Sequence, residues 1–179
     1  MPGPSGTKIA ARSIVGRRDP RRSTIRPITR RDDEAAIDAV RLVRAEFGVV
    51  GEGFNWQEGE DTRLSMIYRA VGSAYFVVEM DGMVCGGGGI AGLPENPGVC
   101  ELQRTYITVH ARRRGLGLQL LRRCLYTARR MKYRQCYIET YAMLVRANHI
   151  FRQAGFRSIA GPMRPSPFSA CDTYFLMDL

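Results

Sequence analysis

Residues 101–121, ELQRTYITVHARRRGLGLQLL, contain the change of hydrophobic period that decides the fold. The run 100–109 is typical of a β-strand, because β-branched and aromatic side chains are concentrated there. From Leu116 onward, apolar residues recur at helical spacing while arginines occupy the other faces. The apolar stripe consists of Leu116, Leu120, Leu121, Cys124, Leu125 and Ala128. The stretch therefore predicts a strand, a glycine turn and an amphipathic helix.

The turn at residues 112–117, RRRGLG, is suited to binding a phosphate group. The first amides of a helix lack partners within the helix, and the positive end of the helix dipole lies there. Gly115 and Gly117 let a ligand approach the backbone without a Cβ in the way, and the arginines before them add charged donors. A tight turn with a solvated charge run is the alternative interpretation. The glycine patterns of P-loop and Rossmann proteins are both missing from the sequence.

The remaining sequence predicts short strands and helices of one mixed domain. Strands are predicted at residues 25–28, 74–80, 83–91, 100–109, 135–140, 156–159 and 173–177, and helices at 33–47, 61–71, from 116 to about 134, and at 146–153. The residues expected to face inward on the first two helices are Ala36, Ala39, Val40, Val43, Phe47, Leu64, Ile67 and Val71. The strand after the long helix should lie parallel to the strand before it, because a helical crossover joins them. The pattern predicts an α/β (α+β) fold, with a mostly antiparallel sheet of about seven strands and about four helices.

Two local signals lie in the predicted hairpin of strands 74–80 and 83–91. Asp81-Gly82 is the residue pair that a tight type I′ turn favours. The four glycines at 86–89 weaken the strand in which they lie. They therefore indicate a bulge or a group packed closely against the backbone.

The charge of the chain is concentrated at its beginning. The 179 residues carry 27 Lys and Arg against 17 Asp and Glu, yet residues 1–31 hold nine of the basic residues and only Asp19 as an acid. At 45% hydrophobic residues over its whole length, the chain suffices for one globular core. We expect residues 1–24 to be a disordered basic extension and residues 25–179 to form the domain. The extension would also suit an organelle transit peptide or a loose nucleic-acid contact.

The cysteines and histidines argue against several kinds of site. The five cysteines are scattered and odd in number, which fits reduced thiols in a cytoplasmic protein better than a disulfide framework. Two histidines and no CxxC pair argue against a metal site and against a Ser-His-Asp triad. No apolar run approaches the length of about 18 residues that a membrane span needs.

Two motifs carry a resemblance to a known family. Arg112-x-x-Gly115-x-Gly117 resembles the Gln/Arg-x-x-Gly-x-Gly/Ala motif of the GNAT superfamily of acyl-CoA-dependent N-acetyltransferases. The segment 147–156 resembles the second motif of that superfamily, Ala-x-x-Leu-Tyr-x-x-x-Gly-Phe. A narrower resemblance is to stand-alone bacterial GNAT proteins without an assigned substrate. It is carried by Glu46-Phe47-Gly48, the glycines 86–89, Cys100-Glu101-Leu102, Glu139-Thr140 and Cys171-Asp172.

The resemblance implies acetyl-CoA as co-substrate, without a metal. In such folds the fourth and fifth strands splay apart, pantetheine pairs with the fourth strand, and the pyrophosphate lies on the glycine turn. The implied cofactor-binding residues are Ile107, Thr108, Val109, Arg112, Arg113, Arg114, Gly115, Leu116, Gly117, Leu118, Asn148 and Phe151. The sequence has Leu144 where many members have asparagine. Asn148, one helical turn along, would take over the hydrogen bond of that asparagine or would be an exposed polar residue.

The resemblance also implies a general base and raises a question about the acid. Glu101 stands where some members carry a catalytic glutamate. A carboxylate that ties Gln103 or Arg104 within the sheet is the alternative. Phe151 replaces the tyrosine with which many members protonate the leaving thiolate, so Tyr141, Tyr137 or water would act instead, or the thiolate would leave without a proton donor.

Three function hypotheses follow. The first is transfer of an acetyl group to a primary amine of a small molecule or peptide by direct attack in a ternary complex, in a monomer or homodimer. The second is a non-catalytic acyl-CoA sensor on the same fold. The third is a nucleic-acid-associated protein acting through residues 1–31. The near-neutral charge of the remaining residues argues against nucleic-acid binding by the domain itself. Residues 47–60 and 162–170 are expected to shape the acceptor site.

Overall fold

A computed structural model describes residues 23–49, 63–165 and 170–179. Its strands are β1 (Ser23–Pro27), β2 (Ala74–Met80), β3 (Met83–Gly92), β4 (Val99–Ile107), β5 (Gln135–Thr140), β6 (Arg157–Ile159) and β7 (Thr173–Asp178). Its α-helices are α1 (Asp33–Glu46), α2 (Leu64–Ile67), α3 (Leu116–Arg130) and α4 (Val145–Gln153), and 3-10 turns lie at Arg30–Asp32 and Val109–Ala111. Residues 1–22 of the expected basic extension lie outside the described residues, as do residues 50–60 and 166–169 of the two segments expected to shape the acceptor site.

The seven described strands form one mixed sheet in the order β1-β2-β3-β4-β5-β7-β6. All neighbours are antiparallel except β4 and β5, which run parallel as predicted. The parallel pairing covers only Val99–Glu101 opposite Gln135–Tyr137, although both strands continue beyond it. The predicted fold class is therefore confirmed, including the splayed parallel pair.

The two faces of the sheet carry different cores. On one face, Cys100 and Leu102 of β4 pack with the apolar stripe of α3. On the other face, Tyr75 and Val77 of β2 pack against α1 and α2. Because side chains alternate along a strand, Glu101 and Gln103 point to the face of α1 and α2.

The glycine run in β3 has both features that the sequence indicated, a bulge and side chains packed closely against the backbone. The register between β3 and β4 shifts between Gly87 and Gly89, opposite Arg104, whose φ is 48°. A Cβ on Gly87 would lie 2.7 Å from the ring of Tyr75, and a Cβ on Gly89 would lie 2.7 Å from the ring of Tyr68. The glycines therefore admit two tyrosine rings and a bulge that turns β4.

Five expectations of the sequence need correction. Of the helix predicted at residues 61–71, the described part of the chain contains only the four-residue α2. The strand predicted to residue 109 ends at Ile107, because a 3-10 turn follows in which the Ala111 amide donates to the Thr108 carbonyl at 3.0 Å. Phe47 caps the end of α1 and is 37% exposed. Val71, expected to face inward, is fully exposed in a turn closed by the Ser73 amide. The strand predicted from residue 25 begins at Ser23, which pairs with Met80.

Candidate functional site

The main opening in the sheet lies where β4 and β5 part. Beyond Glu101, residues 102–107 of β4 have no strand partner on the side of β5 among the described strands. Unpaired backbone of this kind can bind a second extended chain through main-chain hydrogen bonds. The Ile107 carbonyl is already engaged, because it accepts a hydrogen bond from Arg112 Nε at 2.8 Å.

The N-terminus of α3 lies at the end of this opening. Its N-cap Gly115 is left-handed, with φ 74°, and no side chain caps the helix. The Gln119 amide donates to the Gly115 carbonyl at 3.1 Å, so the amides of Leu116, Gly117 and Leu118 precede the first bond within the helix. With no acidic residue in the first turn, these amides present a positive end that suits an anion.

Gly117 leaves the approach to these amides open. A Cβ at this position would meet only the Ile150 Cδ1 atom, at 3.8 Å. A side chain here is therefore compatible with the folded chain and would occupy the space next to the amides. Gly115 differs, because its positive φ strains any other residue.

The three arginines of the turn have different environments. Arg112 donates to both carboxylate oxygens of Glu46, at 2.5 and 2.6 Å, and its guanidinium lies 5.4 Å from the centre of the Phe47 ring. The hydrogen bonds from Arg112 lower the pKa of Glu46. Arg113 and Arg114 are exposed. The structure therefore engages the Arg112 side chain with the end of α1 and leaves two arginines facing solvent.

Three further predicted cofactor residues differ in exposure. Thr108 is buried and bonded to Cys85, while Val109 is 69% exposed. The Leu116 side chain belongs to the core under α3, so only its backbone can meet a ligand.

Asn148 and Phe151 of α4 are both buried. Asn148 donates its amide to the Tyr141 carbonyl at 2.9 Å, and its buried side-chain oxygen has no hydrogen-bond partner among the described residues. It is 3% exposed, so the interpretation as an exposed polar residue is wrong. Phe151 packs edge-on against Phe156 and Phe175, with ring centres 6.0 Å apart in each pair.

Glu101 lies buried where the strands part. Its carboxylate accepts hydrogen bonds from Gln103 Nε2 at 2.7 Å and from Arg164 Nη2 at 3.2 Å. The Tyr68 hydroxyl in turn donates to the side-chain oxygen of Gln103 at 2.9 Å. Burial raises the pKa of Glu101, while the bond from Gln103 and the charge of Arg164 act in the opposite direction. The contact to Gln103 that the sequence offered as an alternative is present, and it leaves the carboxylate able to accept a proton.

A second carboxylate and a tyrosine lie on the same face of β5. The Tyr137 hydroxyl donates to Glu139 at 3.0 Å and accepts from the Met163 amide at 3.3 Å. Burial raises the pKa of the Tyr137 phenol. Among the predicted proton donors, the hydroxyl of Tyr137 therefore already donates its hydrogen bond to Glu139.

Tyr141 belongs to a separate small cluster with Val49 and Cys171. Burial raises the pKa of the Cys171 thiol to about 11, and its hydrogen bond with Tyr141 acts in the opposite direction. The structure thus places Tyr141 just after β5, packed against Val49, which follows the end of α1.

Sequence reasoning did not single out Arg164, which reaches Glu101 from the segment between β6 and β7. The alternation of β4 and β5 could have placed Glu101 and Glu139 on one face. No periodic signal marks Arg164, because it lies in an irregular segment. Within the described part of the chain, no three potential metal ligands cluster together, and no helix is long and apolar enough to cross a membrane.

Comparisons with known sequences agree with this geometry. Residues 37–156 match the family described as Acetyltransferase (GNAT) family. The chain is 33% identical over 162 residues to the uncharacterized N-acetyltransferase YjgM of Escherichia coli (strain K12), and the similarity covers 89% of this chain and 97% of YjgM.

Solved structures share the fold at lower sequence identity. A GNAT-family acetyltransferase from Staphylococcus aureus Mu50 has a TM-score of 0.74 and 18% identity, covering 88% of this chain and 99% of that chain. YncA from Salmonella typhimurium, solved with its cofactor acetyl-CoA, has a TM-score of 0.69 and 18% identity, covering 87% and 93%.

Proposed function

The chain belongs to the GNAT family and is an acetyl-CoA-dependent N-acetyltransferase, and we propose that it acetylates a primary amine of a small molecule or peptide. The observation that carries the proposal is the parting of β4 from β5 after Glu101, at one end of which lies the uncapped N-terminus of α3. One feature can hold the extended arm of the cofactor and the other its pyrophosphate, while Glu101 lies at the point where the two strands part.

Acetyl-CoA would bind mainly through backbone groups. The pantetheine arm would lie along Ile107, Thr108 and Val109, and the pyrophosphate would lie on the turn 112–118 and accept hydrogen bonds from the amides of Leu116, Gly117 and Leu118. Arg113 and Arg114 would add charge at the surface, since Arg112 is engaged with Glu46. Asn148 would contribute its side-chain oxygen, which has no hydrogen-bond partner among the described residues.

The reaction would proceed by direct attack in a ternary complex. The neutral amine attacks the thioester carbon, the tetrahedral intermediate collapses, and the carbon–sulfur bond breaks to release the CoA thiolate. The proton that the amine loses passes to Glu101, directly or through one water. Its burial favours this role, since a base with a raised pKa accepts a proton more readily.

The thiolate needs a proton in turn. Phe151 cannot supply one, and the Tyr137 hydroxyl is bonded to Glu139. We propose Tyr141 as the donor, with water as the alternative. Departure as the free anion is also feasible, because thiols have pKa values of about 8.5.

Release of free thiol from acetyl-CoA in the presence of pooled amines and peptides tests the proposal on the full chain. We expect an acceptor that raises thiol release above the hydrolytic background, and we expect Glu101→Gln to remove most of that increase. Acetyl-CoA binding without turnover across the whole panel would contradict the proposal and favour the sensor. Salt-sensitive nucleic-acid binding that disappears when residues 1–22 are deleted would support the third hypothesis.

A further inference from the structure

Arg164 lies between two buried carboxylates at the opening of the sheet. Its Nη2 is 3.2 Å from Glu101 Oε2, and its Nε is 4.0 Å from Glu139 Oε1. The side chains of Glu101 and Glu139 are only 6% and 2% exposed, and that of Arg164 is 17% exposed. The guanidinium thus faces one negative group on each parallel strand, away from bulk water.

The backbone next to Arg164 is held from two sides. The Met163 amide donates to the Tyr137 hydroxyl at 3.3 Å, and the Met163 carbonyl accepts from Asn96 Nδ2 at 3.1 Å. Because Tyr137 also donates to Glu139, the contact that fixes this segment orients the second carboxylate as well. The position of the guanidinium is therefore set by the turn before β4 and by β5.

We propose that Arg164 is a positioning residue for acetyl transfer, which keeps Glu101 ionised and oriented beside the opening although Glu139 lies nearby. The inference rests on the proposed role of Glu101 as base. Two carboxylates buried close together cannot both ionise without a compensating charge, because each destabilises the anion of the other. Arg164 supplies that charge and a directed hydrogen bond to the oxygen that Gln103 also contacts.

Several other titratable groups surround Glu101 and affect its protonation. They are Tyr68, Cys136, Tyr137, Glu139, Arg164 and Cys171, together with Arg104, which contacts Tyr68. Burial raises the pKa of Tyr68, Tyr137 and Cys171, and a hydrogen bond with Cys100 followed by burial raises the pKa of Cys136, so these groups stay neutral near pH 7. The charges that govern Glu101 at neutral pH are thus those of Glu139 and the two arginines.

Loss of Arg164 has a defined consequence for the base. Burial and the charge of Glu139 would then act on Glu101 without the nearest opposing charge, so the pKa of Glu101 would rise. At a pH below that pKa the group is protonated and cannot accept a proton from the amine. The acidic limb of the rate profile would therefore move to higher pH.

Carbon-detected NMR of the glutamate side-chain carboxyl groups tests the proposal without an acceptor. The full chain is titrated, and Glu101→Gln identifies the resonance of Glu101. We expect Arg164→Gln to raise its titration midpoint by at least about one pH unit, a tenfold change in the acid constant. In Arg164→Lys, which keeps the positive charge, the midpoint of Glu101 should lie nearer to that of the unsubstituted chain. In the double variant Arg164→Gln/Glu139→Gln, the titration midpoint of Glu101 should return most of the way to its value in the unsubstituted chain.

An unchanged Glu101 midpoint in folded Arg164→Gln overturns the inference. A double variant whose Glu101 midpoint stays as high as that of Arg164→Gln overturns it as well. If Arg164→Gln alone does not fold, the test is the double variant Arg164→Gln/Glu139→Gln against Glu139→Gln, because the double variant must then have the higher Glu101 midpoint, and equal midpoints overturn the inference. The proposed function fails separately, if Glu101→Gln keeps full turnover with an acceptor from the amine panel. Given that acceptor, Arg164→Gln should lower kcat/KM on the acidic side and leave the KM for acetyl-CoA unchanged.

Discussion

The Arg112 guanidinium meets the Glu46 carboxylate through two parallel hydrogen bonds, at 2.5 and 2.6 Å, and so joins the end of α1 to the turn before α3. The same side chain donates its Nε to the Ile107 carbonyl at the end of β4. Arg112 is the first residue of the glycine motif, and the sequence presents it as a phosphate ligand. In the structure it braces the turn, so the proposed pyrophosphate contacts would come from backbone amides, with Arg113 and Arg114 adding charge.

Gly117→Asp should lower acetyl-CoA affinity at least tenfold, about 1.4 kcal/mol. The carboxylate would lie beside the amides that we assign to the pyrophosphate. An acid in the first turn of a helix favours the folded state, so the thermal midpoint should not fall. Isothermal titration calorimetry with acetyl-CoA checks the affinity.

Gly117→Ala is the matched control for that substitution. It adds only a Cβ with an ordinary contact to Ile150 and should retain most of the affinity. Equal affinity of Gly117→Asp and the unsubstituted chain would remove the pyrophosphate site from the proposal.

Glu46→Gln tests the brace that holds Arg112. The Glu46 side chain is 39% exposed, so its loss should cost less than about 1 kcal/mol of unfolding free energy. Acetyl-CoA affinity should fall about twofold to fivefold, since less than 1 kcal/mol of ordering in the turn is lost. Asp38→Asn, which breaks the exposed pair with Arg41 on the same helix, should leave affinity unchanged. Equal effects of the two variants on affinity would show that the brace does not support the cofactor turn.

Tyr141→Phe should lower turnover roughly 100-fold, the lower range for a general acid, without changing acetyl-CoA affinity. The measurement is steady-state thiol release with an acceptor from the panel. Phe151→Tyr is the companion variant, and it should raise turnover or leave it unchanged. If neither substitution alters turnover, the proton comes from water or from the acceptor.

Asp32→Asn should destabilise the fold by about 2 kcal/mol at neutral pH. Asp32 accepts two hydrogen bonds from Arg26 at 2.8 Å and two more from Thr29, and Arg26 also bonds Glu79. The hydrogen bonds from Arg26 hold the pKa of Asp32 well below its usual range.

The lowered pKa sets the direction of the pH dependence. The stabilisation from Asp32 is complete above its unfolded pKa of about 3.9 and is lost as the pH falls toward the folded value. Urea unfolding between pH 7 and 2 should show a steeper acid loss for the unsubstituted chain than for Asp32→Asn. The exposed Asp38→Asn should follow the unsubstituted chain, and parallel curves for all three would contradict the assignment to Asp32.

Several parts of the fold follow from local patterns in the sequence. The strands at 74–80 and 135–140 have the predicted bounds, and the six apolar residues of the α3 stripe are all buried. The hairpin at Asp81-Gly82 has the positive φ values that its residues favour, 54° and 82°. These features depend on residues within a few positions of one another, so period and turn chemistry suffice to predict them.

The errors arose where distant segments meet. Phe47 has helical spacing, yet it caps α1 and lies against Arg112. Asn148 is polar on a short helix, yet it is buried because it supports the end of β5. The deciding partner of Phe47 lies 65 residues away, outside any window in which a period can be read, and that of Asn148 is a backbone carbonyl seven residues away, which a hydrophobic period does not mark.

The sequence by itself determined the order of the elements, the glycine turn before α3, and the carboxylate of Glu101 in β4. Only the tertiary structure decided that Arg112 bonds a glutamate 66 residues away and that Arg164 reaches Glu101 across 63 residues. The physical reason is that a backbone period reflects which face of an element is buried. The partner of a charged side chain depends instead on which segments the completed sheet brings within hydrogen-bond distance.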